Sequence, residues 1–254
     1  RVVGVGEADL YIAAMGRSGS TFLCNAFTVP PDQIVIAEPR FHARSIDHTW
    51  QELTHLVPGV TRAEVEKAVD GCTTTAEYIE RIQNRFLREL KFWGVKEVEA
   101  AAHMEMIDLL RPRLVVVLVR DIEEVALSLV EKINRQQWQE KYDWRWIEEY
   151  VRTSAAALVE VAGRVESSIV IKYDQLLDPE TIPSLACRIG VPATGDPSLR
   201  LMEAKREWEI ERNACRTAAS ISPQDRGVGA EDIKKARELR RRAEAYNECF
   251  FRRG

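Results

Sequence analysis

No apolar run in the 254-residue sequence approaches the roughly 20 residues that a helix needs to cross a bilayer, so no membrane span is predicted. Basic residues are not in excess either. With 36 Lys and Arg against 40 Asp and Glu, the net charge of −4 gives no electrostatic footprint for nucleic acid. The five cysteines, Cys24, Cys72, Cys187, Cys215 and Cys249, are odd in number, scattered, and form no C-x-x-C. That argues against a disulfide framework and a structural zinc, and for a reducing, cytoplasmic setting. The four histidines, His42, His48, His55 and His103, show no H-E-x-x-H or related spacing, so no metal site is expected. A signal peptide is not visible, although the chain opens on Arg1 rather than Met, which leaves a preceding leader or anchor open. Repeats, low-complexity tracts and linkers are missing too. One domain is expected, with a core over about 10–190 and a helical C-terminal extension over about 198–254.

What is present centres on residues 10–27, which read LYIAAMGRSGSTFLCNAF. A short apolar run, a Gly/Ser turn with one Arg and an apolar helix start predict strand, loop and helix. The unpaired N–H groups at a helix start favour an anion, and a Gly-rich turn brings them close to one. Gly16 and Gly19 allow the tight turn, Ser18, Ser20 and Thr21 add hydroxyls, and Arg17 adds a forked charge. A triphosphate is poorly served: aligned on Gly19 against G-x-x-x-x-G-K-[ST], the chain has Ala14 for the first Gly and Ser20 for the Lys.

Strands are predicted at 10–15, 33–37, 92–98, 114–119 and 168–172, and helices at 20–28, 62–69, 75–91, 100–110, 122–133 and 146–163. Thr61-x-x-Glu64 and Thr74-x-x-Glu77 are capping-box signatures for two of them. Residues 41–58 look irregular and are expected over the cleft. The alternation predicts an α/β fold, a P-loop-like three-layer arrangement with a central parallel sheet of about five strands and helices on both faces.

Ligands collect outside the carboxyl ends of parallel strands, which is where Glu38 and the pair Arg120-Asp121 fall. Glu38 reads either as a site carboxylate or as a turn residue. Lys96 lies in an otherwise apolar strand and must be paired with a carboxylate or aimed at an anion. Ser128 stands eight residues after Arg120, about two helical turns on, so both could reach one anion. The aromatic stretch 136–146, with three Trp and one Tyr, suits a ligand wall or packing onto the body equally. The Arg-rich run 237–242 is expected to be a solvated helix face.

Taken together, these segments resemble the sulfotransferases that use 3′-phosphoadenosine 5′-phosphosulfate (PAPS), in the flavour of the carbohydrate and bacterial members with an R-S-G-S loop. Gly16-Arg17-Ser18-Gly19-Ser20-Thr21-Phe22 resembles their 5′-phosphosulfate loop. Val119-Arg120-Asp121 with Ser128 resembles their 3′-phosphate motif, and Lys172-Tyr173-Asp174-Gln175-Leu176 with Asp178-Pro179 resembles a further family segment. Glu38-Pro39 is similar to a Gly-Glu-Pro whose Glu is a general base, and Trp93-Gly94-Val95-Lys96 to a Trp-Gly-x-Lys whose Lys faces the active site.

The resemblance implies in-line transfer of a sulfuryl group from PAPS to a hydroxyl or amine of a carbohydrate or small molecule, leaving 3′-phosphoadenosine 5′-phosphate (PAP), with no metal. It implies catalytic roles for Glu38, Lys96 and Arg17, with His42 as an alternative base. It further implies cofactor binding by Arg17, Ser18, Gly19, Ser20, Thr21, Phe22, Arg120, Ser128 and Tyr173. Arg212, Arg216, Ser220 and Arg226 are further candidates for the 3′-phosphate, but the family's Arg-Lys-Gly string is absent. The rivals are a small-molecule kinase with Asp121 on magnesium and a non-catalytic nucleotide-binding protein on the same fold.

Overall fold

The computed structural model describes residues 7–136, 142–178, 180–191 and 227–252. Five strands form one parallel sheet: β1 (Leu10–Ala14), β2 (Gln33–Ala37), β3 (Phe92–Glu97), β4 (Leu114–Val119) and β5 (Ser168–Lys172), in the order β2-β3-β1-β4-β5. The central strands are apolar on both faces because both faces are covered. β1 lies in the middle, with Ile12 opposite Lys96 on one side and Val116 on the other.

Alternation along the strands divides the core in two. Leu10, Ile12, Ala14, Val116 and Leu118 face α1 (Ser20–Ala26). Tyr11, Ala13, Val115 and Val117 face the larger layer. That layer comprises α2 (Ile46–Leu56), α3 (Arg62–Val69), α4 (Thr75–Ile82), α5 (His103–Leu110), α6 (Ile122–Arg135) and α7 (Trp144–Arg164). After β5 a 3₁₀ turn (Tyr173–Leu177) leads into α8 (Thr181–Ile189), which joins the α1 side, and Gly190 stops it in the left-handed region. Two C-terminal helices, α9 (Ala230–Arg242) and α10 (Glu244–Phe250), return to the larger layer.

Strands β2, β4 and β5 coincide with their sequence-predicted spans, and both Thr-x-x-Glu capping boxes form. Three expectations need correction. Residues 41–58 are not irregular: Ser45 caps α2 by accepting the His48 N–H, and Leu53 of that helix enters the core. The helix expected over 75–91 keeps α geometry only to Ile82 and then widens into a π segment (Gln83–Leu87), ending before Lys91. The arginines of the run are exposed, but they are not only solvated, because Arg237 reaches Glu123 on α6 and Arg240 reaches Asp121, which caps that helix.

The turn order of the sheet places the site. From β1 the chain crosses to β2 and returns through β3, then passes to the other side for β4 and β5. The connections on the two sides of β1 diverge, and such a reversal leaves a crevice at the strands' carboxyl ends. At the opposite end of the sheet Gly94 lets β3 pack closely on the start of β1: a Cβ on it would stand 2.6 Å from the Leu10 carbonyl oxygen.

Candidate active site

Leaving β1, the backbone turns left-handed at Arg17 (φ 71°) and again at Gly19 (φ 87°). Left-handed geometry is uncommon outside glycine, so Arg17 is held there by its surroundings. The buried Ser18 hydroxyl donates to the Met15 carbonyl, which shapes the loop. Ser20 opens α1 from a buried position, Thr21 is exposed, and the Phe22 side chain is buried in the core beneath, so what Phe22 can offer a ligand is its backbone. A Cβ on Gly19 would lie 2.9 Å from the Tyr173 ring, so these two positions are in direct contact.

Two sequence-predicted segments meet at this loop. Arg17 Nε donates to Ser128 Oγ at 3.1 Å, and Arg120 Nη1 donates to the Arg17 carbonyl at 2.8 Å. The Arg120 guanidinium also lies over the Tyr173 ring, 4.1 Å from its centroid, and pairs with Glu124 at 2.8 Å. Its side chain is 11% exposed. Arg17, Arg120, Ser128 and Tyr173, spread over 157 residues of sequence, thus converge at the tips of β1, β4 and β5.

On the other side of the loop, the ladder between β2 and β3 ends with the Glu38 N–H donating to the Lys96 carbonyl at 2.7 Å. Glu38 then turns left-handed (φ 51°), and its carboxylate forms an ion pair with Lys96 Nζ. Of the two roles open to Lys96, the structure shows the paired one. The Lys96 side chain is 3% exposed and that of Glu38 is 40% exposed, so the carboxylate forms the open end of the pair. Glu52 lies in the same field: burial pushes its carboxyl up, while the Lys96 charge pulls it back down. Glu97 is buried and accepts the N–H groups of Val98 at 2.9 Å and Glu99 at 3.3 Å, with burial pushing its carboxyl up. His42 Nε2 sits 2.8 Å from Glu99, which also pairs with Arg40 at 2.9 Å.

Solved structures similar to this chain include three sulfotransferases. The sulfotransferase domain of the Synechococcus PCC 7002 olefin synthase matches with a TM-score of 0.53 at 18% identity, over 92% of this chain and 94% of that one. The sulfotransferase STF9 from Mycobacterium avium matches at 0.57 and 15% identity, over 97% and 78%. This is a sulfotransferase fold. A sulfotransferase domain from the curacin biosynthetic pathway also matches, at 0.50 and 14% identity over 92% and 97%. No protein-family model matches the chain, and no curated protein does.

Within this sulfotransferase fold, two tyrosines that no motif contains bond the backbone of the loop after β1 and of the tip of β4. Tyr150 of α7 accepts the Gly16 N–H at 2.7 Å, donates to the Val98 carbonyl at 3.3 Å, and stacks on Trp146 with centroids 5.2 Å apart. Burial pushes its hydroxyl up to about 12, so it keeps its proton. Tyr246 of α10 bonds the backbone of Arg120. The signal for either in sequence is only an aromatic with a polar tip on an amphipathic helix, which does not reveal the partner. Trp144 and Trp146 pack onto the body, the former donating to Asp232 at 2.7 Å, whereas Trp138 lies outside the described residues. Arg212, Arg216, Ser220 and Arg226 also lie outside them. A groove of about 870 Å³ runs between α7 and α9–α10, past Trp146, Val151, Leu239 and Tyr246, rather than over the loop. Among the described residues, no group of three His, Cys, Asp or Glu is arranged to hold a metal ion, and no helix is long and apolar enough to cross a membrane.

Proposed function

We propose that this chain is a sulfotransferase that moves a sulfuryl group from PAPS to a hydroxyl or amine of a carbohydrate or other small molecule. One observation carries the reading: the loop after β1 is joined to the tip of β4 and to α6 through Arg17, Arg120 and Ser128. Two guanidinium groups and a buried hydroxyl then share one end of the sheet, and guanidinium forks suit phosphate oxygens.

PAPS supplies the activated sulfuryl group, and its 5′ and 3′ sides both carry such oxygens. In this reading Arg17 and the backbone N–H groups of Gly19, Ser20, Thr21 and Phe22 hold the 5′ side, with Ser18 fixing the loop's shape. Arg120 and Ser128 hold the 3′-phosphate, and Tyr173 supports the Arg120 guanidinium from below. Glu38 takes the acceptor proton, since its carboxylate is the exposed half of its pair. The Lys96 ammonium stabilises the charge that develops as the acceptor oxygen attacks. The fold shared with three sulfotransferase structures supports the assignment.

The kinase reading is not favoured. Asp121, its candidate magnesium ligand, is engaged in capping α6 through the Glu123 N–H at 2.9 Å and in pairing with Arg240 at 2.8 Å.

The test is thermal shift with PAP against ADP, AMP and magnesium-ATP. Ligand at ~100 times its dissociation constant adds about 2.7 kcal/mol of stability, which such a shift resolves. PAP is expected to stabilise most, with the preference lost in Arg120→Ala. A preference for magnesium-ATP would overturn the reading. Sulfuryl transfer that survives both Glu38→Gln and Lys96→Met would remove their catalytic roles.

A further inference from the structure

Residues 244–251 end at the tips of β4 and β5, and Tyr246 ties them to the end of β4. The Tyr246 hydroxyl accepts the Arg120 N–H at 3.2 Å and donates to the Arg120 carbonyl at 3.0 Å. One oxygen therefore ties both peptide groups that flank the Arg120 α-carbon, which a hydroxyl's single proton and two lone pairs allow. The ring is buried, with the Phe250 and Phe251 rings 4.9 and 5.9 Å away between centroids. Burial also holds the hydroxyl pKa well above its ordinary range, so the donated proton stays in place.

Together with the preceding helix α9, this segment contacts the surroundings of Arg120 on both sides. Arg240 pairs with Asp121 at 2.8 Å, Arg237 with Glu123 at 3.2 Å, and Lys172 at the end of β5 lies over the Phe251 ring at 5.3 Å. A phenylalanine at 246 would fill the same volume. The hydroxyl adds nothing to that packing; both its bonds go to the one residue whose guanidinium faces the loop and the Tyr173 ring.

We propose that Tyr246 is a positioning residue for the anion that Arg120 holds, which makes the C-terminal helix pair part of the binding site rather than an appendage. The inference rests on the assignment of Arg120 to the 3′-phosphate made above. A guanidinium recognises phosphate oxygens through a planar fork, so a small rotation of the peptide at its root misaligns both arms. Without the hydroxyl, the Arg120 N–H at the end of β4 loses a partner and the strand tip is free to rotate.

Dissociation constants for PAP and for AMP, measured by calorimetry on the wild type, Tyr246→Phe, Arg120→Ala and the double variant, test this. Tyr246→Phe is expected to weaken PAP by about three- to tenfold, in the range of a lost hydrogen bond. AMP, which has no 3′-phosphate, is expected to bind as before, and Tyr246→Phe is expected to add nothing in the Arg120→Ala background. Equal weakening of PAP and AMP would overturn the proposal, because it would mean general loosening. Unchanged PAP binding in Tyr246→Phe, with Arg120→Ala still losing the preference, would overturn the proposal and leave the Arg120 assignment standing. Unchanged PAP binding in Arg120→Ala would remove that assignment and the inference with it. If Tyr246→Phe does not fold, the proposal is overturned as well, because a hydroxyl that only positions Arg120 is not required for the fold.

Discussion

The Lys96–Glu38 pair has unequal halves, and the inequality fixes the sign of three stability changes. Lys96 is 3% exposed and Glu38 is 40% exposed. Removing one partner of a fully buried pair costs about 3–5 kcal/mol, because a charge is left without compensation. Glu38→Ala does this to Lys96. The expected loss is nearer 2 kcal/mol, since water reaches the carboxylate end in the wild type and Glu52 also lies in the Lys96 field. Lys96→Met does the reverse: it removes the desolvated charge, solvent accommodates Glu38, and Glu52, whose carboxyl burial already pushes up, gives back part of the gain. Its expected effect lies between neutral and about 1 kcal/mol of stabilisation, as when buried ion pairs are replaced by apolar groups. Combining the two is expected to restore stability to within about 1 kcal/mol of the wild type, a strongly non-additive result for residues in contact.

Urea unfolding followed by tryptophan fluorescence measures all three, and transfer from radiolabelled PAPS to a panel of sugars and phenols measures their activity. Lys96→Met is expected to lose ~10²–10³ in turnover while keeping its stability, a separation that marks a charge retained for function rather than for folding. If Lys96→Met destabilised as much as Glu38→Ala, or if the two losses simply added, the reasoning from exposure would be refuted.

Other perturbations follow from the same geometry. Arg17 is left-handed at φ 71°, so Arg17→Gly is expected to unfold at higher urea than Arg17→Ala, by about 1 kcal/mol, while both lose PAP binding in thermal shift. Glu124 pairs with the Arg120 guanidinium at 2.8 Å and competes with any anion there, so Glu124→Gln is expected to tighten PAP about twofold in calorimetry, by about the strength of an i,i+4 pair. Burial, with the charge on His42 adding to it, holds His103 down to about 4 from 6.5. The unfolded chain then takes up a proton as pH falls through about 6.5 that the folded chain refuses until about 4, so up to ~3 kcal/mol of stability is lost across that window. Glu97, pushed up by burial, works in the opposite sense, and His103→Gln is expected to flatten the fall in urea midpoint between pH 7 and pH 5.

The legible parts of this fold are those governed by local chemistry. β4 was readable because LVVVLV has no polar face, and the two capping boxes were readable because Thr and Glu three apart bond the same turn's N–H groups. α2 was not readable: its two histidines, Asp and Glu masked the spacing of Ile46, Trp50 and Leu53, and Ser45 as its cap was one polar residue among several. The π segment at Gln83–Leu87 carries a buried Gln83, a tertiary circumstance with no local signature. In the candidate site, residue types were legible but their conformations were not. Nothing in sequence announces that Arg17 and Glu38 adopt positive φ, since for non-glycine residues that state is imposed by contacts elsewhere. The two anchoring tyrosines act across 134 and 126 residues, beyond any spacing rule.

That division also accounts for a fold recognisable in three dimensions at 14–18% identity. The interior asks only for apolar side chains of suitable volume alternating on each strand, a demand that many sequences meet. The candidate site asks for particular atoms, but few of them, and places them where the interior ends: Arg17 after β1, Glu38 after β2, Lys96 near the end of β3, Arg120 after β4 and Tyr173 after β5. Once the sheet is built, its register brings these five positions to the carboxyl end of the strands, so the chain need encode only each strand and a residue within or shortly after its end. What the sheet does not supply is the orientation of each tip. That falls to helices packed on one face, through Tyr150 for the loop after β1 and Tyr246 for the tip of β4. Substitutions at those two tyrosines are therefore expected to act on ligand geometry before they act on the fold.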